Sequence, residues 1–223
     1  MAHFEVVETQ GMKMIKAVIN GETVRAESGA LHYMQGDIEL ETKLPSAGGF
    51  LKAMVTKENI IRPTYTGTGE IFFGPPIFGE YLILDMNNES WILDQGAYVC
   101  STIEIEVGVQ RNKAVTALLG GEGLFQTKVE GSGQVVAQAW GPIQVIDLEN
   151  DKLTVDGSFA IAREASLNFS AQKATKSILG SMASGEGIVN VIEGTGRVYL
   201  APVPNIHQNV IDTVVSSIYI PSS

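Results

Sequence analysis

The sequence predicts an all-β protein in which one chain contains three copies of a β unit. A glycine triplet recurs at a nearly constant spacing, and a hairpin that contains a glycine recurs at a similar spacing. Short runs in which apolar and polar residues alternate accompany both features, as in half-buried strands. Only the segments that link these features are expected to hold a few short helical turns.

The glycine triplets are the strongest of these signals. They are Gly-Thr-Gly at 67–69, Gly-Ser-Gly at 131–133 and Gly-Thr-Gly at 194–196, and each is followed by one polar residue and an apolar pair. Glycine permits a positive φ and a close backbone approach, so the triplets predict bulges or tight strand corners. The glycines predicted to be structural are Gly29, Gly67, Gly69, Gly96, Gly131, Gly133, Gly157, Gly194 and Gly196.

A hairpin precedes each triplet. Each hairpin opens with a polar turn, at 20–22, 87–89 and 149–151. The first turn contains Asn-Gly, a strong hairpin signal. Apolar residues then alternate in two short runs per hairpin, at 24–26 with 38–40, at 91–93 with 103–105, and at 153–155 with 167–169. The runs predict strands with one buried face.

These spacings divide the chain into module 1 at 1–75, module 2 at 76–138 and module 3 at 139–223, which includes a C-terminal tail. Between hairpin and triplet each module has an apolar segment with little alternation. Each segment either covers its own core or forms an exposed rim for a partner or a lipid surface. The candidate interface residues are Phe50, Leu51, Leu118, Leu119, Ile178 and Leu179.

Composition excludes several classes of function. The chain has 223 residues, and 25 acidic residues against 15 basic ones give a net charge of −10, which disfavours binding to nucleic acids and anionic membranes. No run of 18 apolar residues predicts a transmembrane helix. The N-terminus has no signal-peptide pattern, and the single cysteine, Cys100, fits a reducing compartment. We therefore expect a cytoplasmic protein.

The sequence offers no catalytic, cofactor-binding or metal-binding constellation. His3, His32 and His207 lack the spacing of a metal site. Residues 147–158 begin like a calcium loop, but Lys152 and Ser158 occupy positions that need glycine and glutamate. The chain also lacks a nucleophile elbow and a phosphate-binding loop. We therefore expect no enzymatic activity and no cofactor. We expect Cys100 in the core, and Trp91 and Trp140 in the core or at a module interface, where the turn after Trp140 leaves partial exposure of that residue open.

Several segments together resemble one protein family. They are SGALHYMQGDIELET at 28–42, DQGAYVCS at 94–101, GGEGLF at 120–125, GEGIV at 185–189 and GTGRVYLAP at 194–202. This series, in this order, resembles the family named after altered inheritance of mitochondria, from Phe4 to about Pro202. Module 1 departs from the pattern, because KENIIRP at 57–63 replaces the glycine-glutamate turn.

The resemblance implies three short double-stranded β-helix or β-sandwich modules per chain and no catalytic residue. Such modules are similar to those of the tryptophan-sensing RNA-binding attenuation protein, which form a ring, so three chains would give nine modules. Mitochondrial members of the family are linked to inner-membrane organisation.

The sequence therefore leads to a non-enzymatic scaffold protein that forms a ring-like homo-oligomer, with a trimer favoured. The alternative is a module that binds a small molecule or lipid between adjacent β modules. A protein partner or a peripheral membrane contact fits both. Isolated β units of this size are marginal in stability, and open strand edges favour pairing with further units. The sequence alone does not choose between such an oligomer and a monomer whose three units close on themselves.

Overall fold

The computed structural model describes residues 2–42, 62–74, 79–112, 124–156, 159–173, 188–203, 210 and 213–214. Within them the fold is all-β, as predicted, and only residues 210, 213 and 214 are helical. The strands are β1 (His3–Thr9), β2 (Met12–Ala26), β3 (Leu31–Glu41), β4 (Thr64–Phe73), β5 (Glu80–Leu93), β6 (Tyr98–Thr102), β7 (Glu106–Asn112), β8 (Leu124–Ala139), β9 (Gln144–Asp156), β10 (Ala160–Glu164), β11 (Asn168–Lys173) and β12 (Ile188–Leu200).

All these strands belong to one antiparallel sheet. Its order is β11-β12-β10-β5-β8-β6-β2-β4-β3, while β1, β7 and β9 pair with β2, β8 and β12. Three long pairs dominate the sheet: β2 with β4, β5 with β8, and β9 with β12. The shorter strands that lie between two long strands in the sequence also pair with the second long strand: β3 with β4, β6 and β7 with β8, and β10 and β11 with β12. The second strand of each long pair is therefore central to its part of the sheet.

Three clusters of buried apolar side chains lie along this sheet, and they follow the long strand pairs. The first is centred on Ile15, Tyr65 and Phe73. The second is centred on Trp91 and Leu93, and the third consists of residues of β9, β12 and their connections. The alternation predicted for 24–26 and 91–93 places Val24, Ala26, Trp91 and Leu93 in these clusters, because successive strand residues face opposite sides.

The predicted run at 103–105 lies in a turn, and the run at 167–169 departs only at Leu167, which ends a turn, because Phe169 lies in β11 as predicted. The Ile105 amide donates to the Thr102 carbonyl at 3.3 Å, and the Leu167 amide donates to the Glu164 carbonyl at 3.2 Å. Residues 38–40 do lie within a strand, β3, which passes the first triplet without a break. Gly36, with a φ of +125°, permits this close passage.

Candidate functional site

Each glycine triplet lies opposite an irregular position in its partner strand. The six glycines have φ values between +123° and +154°. The first glycines pair with Glu22, Glu89 and Asp151, and the strand register shifts next to each of these pairs. An L-residue rarely adopts these φ values, so glycine is needed for the backbone to follow the shift.

In two triplets the hydroxyl group of the middle residue accepts a hydrogen bond, which explains why Ser or Thr lies between the glycines. Asn88 and Asn150 have φ values of +55° and +54° at the polar turns. The Asn88 amide donates to Ser132 Oγ at 2.8 Å, and the Asn150 amide donates to Thr195 Oγ1 at 2.9 Å. The hydroxyl oxygen thus satisfies an amide that the strand ladder leaves without a partner. In the first turn Gly21 has the positive φ, at +85°.

The hairpin glycines have a different role. Gly29 and Gly96 have φ values of +83° and +75°, and a Cβ placed on either would meet no atom within 4 Å. Their requirement is therefore backbone conformation alone. Gly157 lies outside the described residues, as do all six candidate interface residues and His207.

The end of β2 pairs with β6 and so joins the first group of strands, β1–β4, to the second, β5–β8. Val24, Arg25 and Ala26 lie opposite Thr102, Ser101 and Cys100. We call this contact junction A. The ladder continues by one bond, from the Glu27 amide to the Val99 carbonyl at 2.8 Å. Junction A buries Cys100 completely, which confirms its expected place in the core.

The end of β5 pairs with β10 and so joins the second group to the third, β9–β12. Trp91, Ile92 and Leu93 lie opposite Glu164, Arg163 and Ala162. We call this contact junction B. It also continues by one bond, from the Asp94 amide to the Ile161 carbonyl at 2.8 Å. Glu22 and Glu89 lie opposite the first glycine of their triplets. In both junctions, the residues that pair with the neighbouring group are those two to four positions after this residue.

Arg197 holds the strands of junction B together. Its Nε donates to Glu164 Oε1 at 2.8 Å and its Nη2 donates to Glu89 Oε1 at 3.4 Å. The guanidinium also lies 5.0 Å from the centre of the Trp91 ring, whose Nε1 donates to Glu89 Oε2 at 3.0 Å. One cation thus connects β12, β10 and β5, which favours a fixed arrangement of these strands.

A cavity of about 280 Å³ lies beside junction B. Arg163, only 6% exposed, lines it together with Gln110 and Lys128. The Arg163 guanidinium lies 4.4 Å from the centre of the Phe169 ring, and its buried Nε has no hydrogen-bond partner among the described residues. Burial lowers the pKa of Arg163 to about 10, which leaves it cationic at neutral pH. The cavity therefore presents a desolvated positive charge.

Asp94, next to junction B, should make folding stability pH-dependent. Burial raises its pKa from 3.8 to about 6, although a 3.3 Å hydrogen bond from Gln126 Nε2 opposes the shift. The folded protein keeps this proton to about pH 6, whereas the unfolded chain releases it near pH 4. Stability should therefore fall as pH rises from 4 to 6, by about 2 kcal/mol.

The Asp94→Asn variant should lack this decline, because the amide does not titrate. Urea midpoints at pH 4, 5, 6 and 7 measure the difference between the two proteins. Asp147→Asn, which alters an exposed carboxylate of β9, is the control and should keep the wild-type profile. Parallel profiles for wild type and Asp94→Asn would contradict the assignment.

The remaining candidates of the sequence lie apart from one another. His3 begins β1 and His32 lies in β3. Within the described ranges, no group of three or more His, Cys, Asp or Glu side chains is placed to hold a metal ion. Trp91 is 1% exposed, as expected for a core residue, whereas Trp140 is 37% exposed and lies outside the core, which bears out only the alternative left open for it. No helix of the described part is long and apolar enough to cross a membrane.

Sequence reasoning did not single out Arg163 or Arg197. Arg197 is the polar residue that follows the third triplet, and its counterparts Glu70 and Gln134 also make long-range contacts, with Lys16 at 2.7 Å and Asp85 at 2.7 Å. The polar residue after each triplet could therefore have been predicted to make a long-range contact, although the sequence does not identify its partner.

Comparisons with known proteins agree with this fold. The family model described as Mitochondrial biogenesis AIM24 matches residues 4–203. An uncharacterized protein of Streptococcus pyogenes serotype M6 is 26% identical over 192 residues, which is 81% of this chain and 77% of that protein. A crystal structure of a Streptococcus pyogenes protein matches with a TM-score of 0.78 at 22% identity, covering 97% of this chain and 100% of that one. The structural match shows a shared fold.

Proposed function

This chain belongs to the Mitochondrial biogenesis AIM24 family, and from that premise we propose that it is a non-enzymatic scaffold protein. In this proposal the strand groups β1–β4, β5–β8 and β9–β12 are three copies of one module of the short double-stranded β-helix type. The modules assemble side by side, first within the chain and then between chains, into a ring-like homo-oligomer.

The observation that carries the proposal is that junctions A and B use the same register. In both, the end of a module's first long strand pairs with the first short strand of the next module, at the same distance from the glycine triplet. A contact that is made twice in one way is a mode of assembly for the module itself. The same mode is available to further copies of the chain.

The polar groups at the junctions support a structural role. Arg197 is bound to Glu89 and Glu164, and Tyr98 Oη is 2.9 Å from Ser101 Oγ. Burial raises the pKa of the Cys100 thiol well above its usual range, which disfavours the reactive thiolate. Arg197, Glu89 and Glu164 thus satisfy one another, as do Tyr98 and Ser101, whereas the Arg163 Nε has no hydrogen-bond partner among the described residues.

The mass of the native assembly tests the proposal. We expect light scattering at micromolar concentration to give three times the chain mass of 23.9 kDa. The assembly should dissociate on dilution as one species, because each chain contributes the same contacts. A mass of one chain at every concentration would overturn the ring-like homo-oligomer.

A second candidate function is the binding of a small anionic molecule between modules. The cavity beside junction B favours it, because it is lined by the buried Arg163, whose Nε lacks a hydrogen-bond partner among the described residues. Native mass spectrometry of the purified assembly should then show a retained ligand that is lost in Arg163→Gln. A spectrum of bare protein in both cases would argue against this function.

The cellular setting stays a prediction of the sequence. A cytoplasmic location fits the single buried cysteine. A partner protein or a membrane surface would meet the outer face of the assembly.

A further inference from the structure

Strand β3 is the counterpart of β6 and β10, the strands that receive a neighbour at junctions A and B. Each of the three pairs with the second strand of its long pair, and each shows one register shift. The shifts lie at Leu31/Tyr33, Tyr98/Cys100 and Ala160/Ala162. Aligned on these shifts, Tyr33, Met34 and Gln35 correspond to the three residues of β6 and of β10 that pair across the junctions.

Among the described strands β3 has no such neighbour, and its side chains are correspondingly exposed. Cys100 and Ser101 of β6 are 0% exposed, and Arg163 of β10 is 6% exposed. Tyr33 and Met34 of β3 are 49% and 39% exposed. In the described part of the chain β3 pairs with β4 alone. One side of β3 is therefore an open edge that carries two large apolar side chains.

The complementary edge is the end of β9. Asp151 lies opposite the first glycine of the third triplet. Residues 153–155 come two to four positions after Asp151, which is the spacing found at junctions A and B. Their counterparts are 24–26 and 91–93. Among the described strands β9 pairs with β12 alone, so this segment has a free side.

We propose that β9 of one copy of this chain pairs antiparallel with β3 of a second copy, in the register of junctions A and B. Leu153 then lies opposite Gln35, Thr154 opposite Met34 and Val155 opposite Tyr33. The inference rests on the proposed modular assembly and specifies its intermolecular contact. The Asp156 amide would donate to the His32 carbonyl, as the amides of Glu27 and Asp94 do to their partners.

The chemistry of the two edges suits a second copy of the same chain. The Tyr33 ring stacks on Phe72 at 4.2 Å between centroids, and Met34 adds a flexible apolar surface. The three residues of β3 proposed to pair, 33–35, include no charged residue and no proline, which usually protect an exposed edge from pairing. Thr154 and Val155 are β-branched and favour an added strand.

The contact is head-to-tail, because each copy supplies one β3 edge and one β9 edge. Heterologous contacts of this kind close into rings when the rotation between copies allows it. Within the chain, β3 ends the strand order on one side, while β9 pairs with β12 near the other end. The described chain makes no β3–β9 ladder of its own, so the two edges remain available to other copies.

Engineered cysteines can report this register. At junction B the amides of Ala165 and Asp94 bond to Ser90 and Ile161 at 2.9 and 2.8 Å. Since hydrogen-bonded and non-hydrogen-bonded pairs alternate, the Trp91–Glu164 pair is non-hydrogen-bonded. Its intermolecular counterpart is Leu153–Gln35. Cα atoms in such pairs are about 4.5 Å apart, within the range that a disulfide spans.

The experiment mixes Gln35→Cys chains with Leu153→Cys chains under oxidising conditions and separates them on a non-reducing gel. We expect a covalent two-chain band in the mixture and only single chains in each variant alone. A mixture of Gln35→Cys with Thr154→Cys is the matched control and should remain uncrosslinked, because adjacent strand residues face opposite sides. The native Cys100 is fully buried and does not compete.

A second variant tests the edge without cysteine chemistry. By the same alternation, the Thr154 amide points away from β12 towards the proposed neighbour. Thr154→Pro removes this donor at an edge position that tolerates proline. We expect the assembly to fall to single chains while the urea midpoint of the dissociated chain stays unchanged.

The outcomes separate the two proposals. An oligomer by light scattering that gives no Gln35–Leu153 crosslink, or that survives Thr154→Pro, overturns this interface and leaves the scaffold proposal standing. A covalent dimer of Gln35→Cys alone would show β3–β3 pairing and also overturn it. A wild-type chain that is monomeric at every concentration removes both.

Discussion

Replacing Gly67 by alanine should lower the free energy of unfolding by about 3 kcal/mol or more. Gly67 lies in β4, between β2 and β3, with a φ of +146°. A Cβ at this position would lie 2.0 Å from the Asp37 carbonyl oxygen and 2.9 Å from the Ile38 Cα. Both are backbone atoms, so β3 itself would have to move away from β4.

The matched control is Gly194→Ala, at the same position of the third triplet. Its φ of +131° imposes similar backbone strain, but its Cβ would approach only Leu167 Cδ2, at 3.3 Å. We expect a loss of about 1–2 kcal/mol there. Urea denaturation of both variants measures the difference, which isolates the backbone clash. Equal losses would contradict the close approach of β3 and β4.

The Trp91→Ala variant should lose about 4 kcal/mol of folding stability. Trp91 is almost completely buried at junction B, where its ring centre lies 5.4 Å from that of Tyr199 and 5.0 Å from the Arg197 guanidinium. Truncation would leave a large cavity and remove the hydrogen bond to Glu89. The change should therefore weaken both the core of the second strand group, β5–β8, and its contact with the third, β9–β12.

Trp140→Ala is the comparison for this variant, since it removes the same side chain from a partly exposed position. We expect a loss of less than about 1 kcal/mol. Denaturant unfolding followed by far-UV circular dichroism measures both variants. A Trp91→Ala protein as stable as Trp140→Ala would show that junction B is not packed as described.

The sequence predicted the fold class and the places where the strands bend, because positive φ values restrict residue type. Gly131 and Gly133 are examples, with φ values of +123° and +147°. The hydroxyl that accepts the Asn88 amide was visible as the middle residue of the same triplet, although its function was not. Local backbone geometry leaves a signature that spacing alone can find.

The same alternation misled at Ile105 and Leu167, which were expected in strands and lie at the ends of turns. Both side chains are buried beneath a triplet, where a Cβ on Gly133 or Gly196 would lie 3.4 or 3.3 Å from them. A turn that tucks its last apolar residue under a strand gives the same pattern as a half-buried strand. Periodicity over three residues does not separate the two.

The partners across the junctions were beyond sequence reasoning for a different reason. Val24 and Leu93 are ordinary strand residues, and nothing in their type indicates which distant strand they meet. Arg197 shows the same limit, since its ion pairs reach Glu89 and Glu164 across 108 and 33 positions of chain. Contacts of this kind depend on how the strand groups are arranged, which local patterns do not encode.

The shared register of junctions A and B also bears on the order in which the strand groups can be connected along the chain. When neighbouring strand groups meet through the same ladder, the contacts between the groups do not depend on where the two ends of the chain lie. A circularly permuted polypeptide that starts at β5 and ends with β4 would present the same set of edges with the break in the covalent backbone moved by one unit.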